Sequence, residues 1–338
     1  MKKDNKKVIY WLLTGCVLIF IMVVVGGITR LTHSGLSISS YKLISGTIPP
    51  IGETQWQEAF ELYKQYPEYQ KINDHFSLQD FKDIYFWEWL HRVIGRFIGL
   101  VFFLPFVYFI ITKQLSKSTF KKATLLLILG GFQGFLGWYM VKSGLVDKPD
   151  VSHYRLAAHL TTAFITFAYT FWVALDLWFP ERRNSSKKLR NFIRLSLVIL
   201  IIQIIYGAFV AGLDAGFIHN HWPLMNEGKL IHETVYIEQN PLYKNFIEGK
   251  SGVQFIHRTL AYIVVLFIFL IWKKTRELPK TIWQKRGVNS LLIFVGIQFV
   301  LGVLTLLLRV PVWLGVSHQV GAFFLLSAMT FTLHRFSK

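Results

Sequence analysis

The sequence predicts an all-α integral membrane protein: eight transmembrane helices as two repeated four-helix bundles, with N- and C-termini cytoplasmic. Three observations predict it. Of 338 residues, 53% are hydrophobic and only 17% charged. Eight apolar stretches each reach the roughly 20 residues that a bilayer core requires. The second half of the chain repeats the first half's pattern of Gly, Gln and His residues.

The formal net charge of +18 would suggest a nucleic-acid partner in a soluble protein. The mean hydropathy of +0.40 argues against that class, because a soluble domain of this size carries far more polar surface. The same composition excludes disorder. A single cysteine, Cys16, excludes a disulfide framework, a Cys-rich zinc site and covalent heme attachment.

The spans are residues 8–27, 84–111, 123–141, 156–178, 192–213, 253–272, 288–308 and 312–333. The first is too long for a signal-peptide core and no small-residue cleavage site follows it, so it reads as a retained helix. The N-terminus also lacks the Arg-rich, acid-poor character of a mitochondrial presequence, and the chain reads as a bacterial inner-membrane protein. Basic clusters mark alternate connections. They include Lys113, Lys117, Lys121 and Lys122 after the second span, and Lys273, Lys274, Arg276, Lys280, Lys285 and Arg286 after the sixth. These segments, with both termini, fall on one side of an eight-span topology and hold the whole basic excess after subtraction of acids such as Asp4, Asp176 and Glu181. The positive-inside rule makes that side cytoplasmic. The opposite side carries two long connections, 28–83 and 214–252, and in the first of them residues 53–69 read as a short amphipathic helix.

The repeat divides the chain into residues 1–190, with the long outer loop 28–83, and residues 191–338. Gly26-Gly27-Ile28 through Gly35 parallels Gly207 through Gly216. Glu88-Trp89-Leu90-His91-Arg92 parallels Gln254-Phe255-Ile256-His257-Arg258. Gln133 through Gly137 parallels Gln298 through Gly302, and Ala158-His159 parallels Ser317-His318. Two parallel four-helix bundles follow from this arrangement.

His91, His159, His257 and His318 each lie in an even-numbered span, within about two turns of its outer end. One such histidine is ordinarily a structural hydrogen bonder. Four, duplicated with the repeat and placed in apolar spans, point to function. Two histidines per bundle suit the axial ligands of a porphyrin iron, whereas zinc would need three or four ligands on one centre. Without a Cys-x-x-Cys-His motif, any heme is non-covalent. Gly95 and Gly99 form a bare stripe on the His91 face, which suits either a flat macrocycle or close helix packing. Arg92, Arg96 and Arg258 are candidates for pairing with heme propionates, or alternatively with Glu88 or lipid phosphate. Gln133, Gln203 and Gln298 read as interhelical hydrogen bonders. His33, His75, His153, His219, His221 and His232 lie in outer segments and read as solvated or metal-neutral, and His334 fits a helix-dipole or interface role at the cytoplasmic end.

The halves differ at one telling position: Glu88 stands three residues before His91, whereas Gln254 stands three before His257. At that spacing Glu88 shares a face with His91, where a carboxylate can move protons, orient water or stabilise a cationic intermediate. Chemistry is therefore expected in the first bundle, and a cofactor or electron relay in the second. A Glu88–Arg92 ion pair without catalysis is the alternative.

At these motifs the chain resembles the heme A synthase family over nearly its whole length. The matching segments are Gly26-Gly27-Ile28-Thr29-Arg30-Leu31-Thr32, Ser34-Gly35-Leu36-Ser37, Gly46-Thr47-Ile48-Pro49-Pro50 and Glu88-Trp89-Leu90-His91-Arg92. The resemblance implies oxidation of a ring methyl of heme O to a formyl by successive hydroxylations, with water as the oxygen source. It implies a non-covalent, bis-His heme b cofactor on His257 and His318. It also implies heme O received at His91 and His159, with Glu88 as the catalytic carboxylate, and as partners a heme O synthase, an unidentified electron acceptor and membrane lipid, with no nucleic acid. Some bacterial members carry a cysteine pair in the first outer loop. This chain does not, and its long loop resembles the other branch. Two further classes remain: a di-heme b-type electron-transfer protein, which would not need a one-sided Glu88, and a transporter, which would need broken helices with polar midplane sites.

Overall fold

A computed structural model of the chain describes residues 5–38, 45–145, 149–179 and 185–337. Asp4, Glu181 and Lys338, part of the charge pattern above, lie outside the described residues. The helices are α1 (Asn5–Leu31), α2 (Gly52–Tyr63), α3 (Pro67–Lys71), α4 (Leu78–Ile111), α5 (Lys117–Val141), α6 (His153–Trp178), α7 (Lys187–Gly212), α8 (Thr234–Ile237), α9 (Lys250–Arg276), α10 (Ile282–Leu307) and α11 (Val312–Phe336). Eight of them, all but α2, α3 and α8, are long and apolar enough to cross a bilayer. No strand occurs among the described residues.

Most spans outrun their apolar stretch by a turn or more, because polar caps start them early. Ser77 and Asp80 form a reciprocal capping box at α4, Thr281 and Gln284 do the same at α10, and Ser116 and Ser186 cap α5 and α7. Such caps satisfy the orphan amides of a first turn. The basic residues Lys273, Lys274 and Arg276 end α9, where the helix dipole favours cations. Pro105 lies inside α4, which continues past it. The helix expected over 53–69 is two: α2 ends before Pro67, which takes the first position of α3, the helical site where a missing N–H costs nothing.

Contacts close two rings. In one, α1 meets α4, α4 meets α5, α5 meets α6, and α6 returns to α1. In the other, the same order runs α7, α9, α10, α11 and back to α7. The rings join where α1 and α6 meet α7 and α11. The core at the junction includes Phe164 and Phe167 of α6, Ile193 and Leu200 of α7, and Phe323 and Met329 of α11. Between apolar helices in lipid, shape-matched packing and interhelical hydrogen bonds carry association. Here Gln319 of α11 donates to the Val23 carbonyl of α1 at 2.9 Å. Arg30 at the end of α1 pairs with Asp214 at 3.0 Å. At the opposite, Lys/Arg-rich end, Asp176 of α6 accepts from Lys122 of α5 at 2.6 Å and lies 3.1 Å from His334 of α11. His334 is fully buried and thus ties the rings together, the interface role expected of it.

Candidate active site

Each of the four span histidines lies over a glycine of the span before it. A Cβ on Gly26 would stand 3.2 Å from His91 Nε2, one on Gly137 3.1 Å from His159 Cε1, one on Gly207 3.2 Å from His257 Cε1, and one on Gly302 2.8 Å from His318 Cε1. All four glycines sit about one and a half turns from the loop-side end of their helices, so the rings share a depth. His91 lies further into its own helix than expected, because the capped start of α4 projects beyond the apolar stretch. The glycines were visible in the sequence only as repeat markers; that each backs a histidine needs the pairing of helices.

The rings of His257 and His318 are 6.4 Å apart, centre to centre, with their planes at 83°. Metal–imidazole bonds of roughly 2.0–2.1 Å, plus about 1.1 Å from nitrogen to ring centre, put two axial imidazoles about 6.3 Å apart. Both Nδ1 atoms are buried with no hydrogen-bond partner among the described residues. In both, the Cε1–Nδ1 side of the ring is close to the glycine. Although set in apolar spans, all four histidines are only half-buried. The separation, the bare glycine backing and the reachable rings fit a macrocycle held between axial histidines. His91 and His159 are also electrostatic neighbours. Gln133 meets His159 as an interhelical partner, with Nε2 at 3.1 Å from Nδ1 and 2.9 Å from the His159 carbonyl. The side-chain oxygens of Gln203 and Gln298 are buried without a partner among the described residues, while the backbones of the same two residues lie against His257 and His318.

On α4 a second stripe runs beside His91. Glu88 is buried. Its Oε1 accepts from Arg92 at 2.6 Å, and its Oε2 accepts from the Ser37 hydroxyl and the Ile38 amide, each at 2.7 Å. Arg92 also donates to the Ile38 carbonyl, Trp89 to that of Thr47 and Arg96 to that of Gly46. One helix face therefore holds two points early in the first long connection, Ser37–Ile38 and Gly46–Thr47. Gln254 does the reverse job: buried, it donates to the carbonyls of Ala215 and Ile218. The Glu/Gln difference is thus a difference in polarity, one side chain accepting from its loop and the other donating. Arg258 donates to the carbonyls of His221, Pro223 and Leu224, and its other terminal nitrogen is buried without a partner among the described residues. The stripe expected at Gly95 and Gly99 is half realised. No described atom lies near Gly99, whereas Met22 of α1 packs on Gly95.

One group of expectations is corrected. His219 is buried rather than solvated. Its Nε2 is 2.9 Å from Ser251 Oγ, and Ser251 also bonds Glu238. Burial pushes the His219 imidazole below its usual range. His153 bonds the Ile247 carbonyl and is likewise not a free solvated ring. The signal in the sequence was too weak to find either, because both partners come from the other end of the second connection. A second unforeseen cluster lies in the first connection: Asn73 donates to the Tyr63 hydroxyl and Tyr63 donates to Glu68, both at 2.9 Å. All three are buried.

An eight-span helical protein with paired histidines backed by glycine has the frame of a membrane heme protein. Known proteins narrow the class. The cytochrome oxidase assembly protein family, COX15-CtaA, matches residues 9–330, and the chain belongs to that family. It is 64% identical to the heme A synthase of Flavobacterium johnsoniae over the full length of both chains. It is 61% identical to that of Flavobacterium psychrophilum, over 99% of this chain and 100% of the relative. With the heme A synthase of Nitrosospira multiformis it shares 43% identity over 98% of this chain and 93% of the relative.

Proposed function

We propose that this chain is a heme A synthase. The observation that carries the reading is end-to-end identity with heme A synthases in a fold that pairs its histidines at one depth. Heme O is the substrate, and one ring methyl becomes a formyl by successive hydroxylations. The net change retains one water oxygen and releases four protons and four electrons to an unidentified acceptor.

Residues 1–190 form the substrate half and residues 191–338 the cofactor half, as two copies of one unit. His91 and His159 hold the substrate iron. His257 and His318 hold a non-covalent heme b, which supplies one-electron transfer when bound. Glu88 is the catalytic carboxylate. Fixed by Arg92, Ser37 and Ile38, it presents a positioned negative charge one turn from His91, suited to stabilising a cationic intermediate and orienting the attacking water. Arg258, with one nitrogen unpartnered among the described residues, is the propionate ligand best supported; Arg92 and Arg96 serve the same purpose in the first half while holding the loop. The basic face lies in the cytoplasm and the active site toward the outer leaflet of a bacterial inner membrane. A heme O synthase upstream supplies the substrate.

The competing reading is a di-heme electron carrier, favoured by one observation: both Glu88 oxygens are committed to loop and arginine contacts. Co-expression with a heme O synthase, followed by heme extraction, separates the two. Heme A in the extract is expected; heme O alone would leave the electron-carrier reading.

A further inference from the structure

Helix α1 is a wall shared by both rings, and two adjacent glycines mark its two faces. Gly26 carries His91 of the first ring, whose Nε2 lies 3.2 Å from where a Cβ would stand. Gly27 carries Gln319 of α11, whose amide oxygen and nitrogen lie 3.1 Å and 3.4 Å from the corresponding point. The same amide donates to the Val23 carbonyl at 2.9 Å, a carbonyl whose helical partner is the Gly27 N–H four residues on. Gln319 is next in sequence to His318. Linked contacts therefore run from His91 through Gly26-Gly27 to Gln319 and His318. The seam continues on either side. Leu31 of α1 comes within 2.5 Å of where a Cβ on Gly315 of α11 would stand, and the rings of Phe20 and Phe323 are 5.3 Å apart. The junction of α6 with α7 is built differently. Leu160 follows His159 as Gln319 follows His318, and Ala208 follows Gly207 as Gly27 follows Gly26. Leu160 packs on the apolar cluster that holds Ala157, Ala208 and Phe209. A leucine there needs only shape. A glutamine facing a neighbouring helix inside a bilayer needs a hydrogen-bond partner, and the bond fixes one relative position of the two helices.

We propose that Gln319 is a positioning residue for the first histidine site: by pinning α1 to α11 it fixes the glycine wall behind His91 relative to His318, so that heme held at one histidine pair strengthens binding at the other. This rests on the reading in which both pairs hold heme. Heme between His257 and His318 fixes the turn of α11 that carries Gln319. Gln319 then holds Val23 and Gly27, and the neighbouring Gly26 sets where His91 stands. A linkage of this kind is reciprocal, and it requires no transfer of protons or electrons. The first half thereby takes its substrate most tightly when the second half is loaded.

The test uses the full chain in detergent and reads binding rather than turnover. Heme O is titrated by its absorption into protein pre-loaded with one equivalent of heme b, with His91→Ala as the blank. The titration is repeated without heme b in a His318→Ala background, where the second pair is broken. In otherwise wild-type protein, loss of the second site should weaken heme O binding roughly 5-fold or more. Gln319→Met keeps the length of the side chain and removes the donor. It should retain heme b and weaken heme O binding by a similar factor, and His318→Ala added to it should cost nothing further. If Gln319→Met fails to assemble, Gly27→Ala combined with Gln319→Leu substitutes for it, since that pair copies Ala208 and Leu160. Equal heme O affinity in wild type and the Gln319 variant overturns the proposal. So does an absent effect of His318→Ala, or effects of the two changes that simply add. Protein whose heme O titration is the same in the His91→Ala blank overturns the two-heme reading instead.

Discussion

His257 of α9 and His318 of α11 face each other at 6.4 Å, nearly perpendicular, with each ring resting on a glycine of a neighbouring helix. Two imidazoles that are 61 residues apart in sequence thus stand where one iron between them could be held by both. In the proposed cofactor site, His257→Ala or His318→Ala should each abolish low-spin b-type absorption in the purified protein. Retention of that absorption in both variants would reject the ligand assignment.

Gly302 offers a sharper probe of ring position. An added methyl would stand 2.8 Å from His318 Cε1, so something must move, whereas one on Gly296 of the same helix meets no described atom within 4 Å. Gly302→Ala should shift the heme spectrum or lower heme content, and Gly296→Ala should change neither. Equal behaviour of the two variants would show that the glycine does not set the ring.

The Glu88 and Gln254 pair makes a reciprocal prediction. Glu88→Gln should keep the b-type spectrum and lose heme O conversion by roughly 100-fold or more; wild-type turnover would contradict a catalytic role. Gln254→Glu places a group without amide donors against the Ala215 and Ile218 carbonyls. The unsatisfied buried carbonyls should cost about 1–3 kcal/mol, read as a lower unfolding temperature.

Glu68 also predicts a stability slope. Its carboxyl is raised from an ordinary 4.5 to about 7 in the folded chain, so the folded state binds more protons than the unfolded state between those values. Stability should therefore fall as pH rises from about 4.5 to about 7 and then level off. The difference in melting temperature between wild type and Glu68→Gln across that range isolates the effect; a difference that does not vary with pH would refute it.

How much of this was readable before folding differs by residue. The spans were clear because roughly 20 apolar residues in a row have one stable setting. Their starts were less clear, because Ser77 and Thr281 extend helices through polar residues that hydropathy alone discards. Histidines 91, 159, 257 and 318 stood out through repetition. His219 did not, because its burial depends on Ser251 and Thr234, brought to it by the folding of a connection without periodic pattern. Glu68 gave no sign either: a charged residue in a polar loop is ordinarily solvated.

The sequence by itself determined the eight apolar spans, the basic clusters in alternate connections, the histidines at matching places in the two halves and the Glu88/Gln254 difference. These are matters of composition, period and spacing, which a chain carries before it folds. Only the tertiary structure decided which histidines face one another, that each lies on a glycine, that Glu88 clamps Ser37 and Ile38, and that Glu68 is buried with Tyr63 and Asn73. Those relations join residues from different helices and loops, and distance in space between such residues is set by packing, which no local pattern encodes.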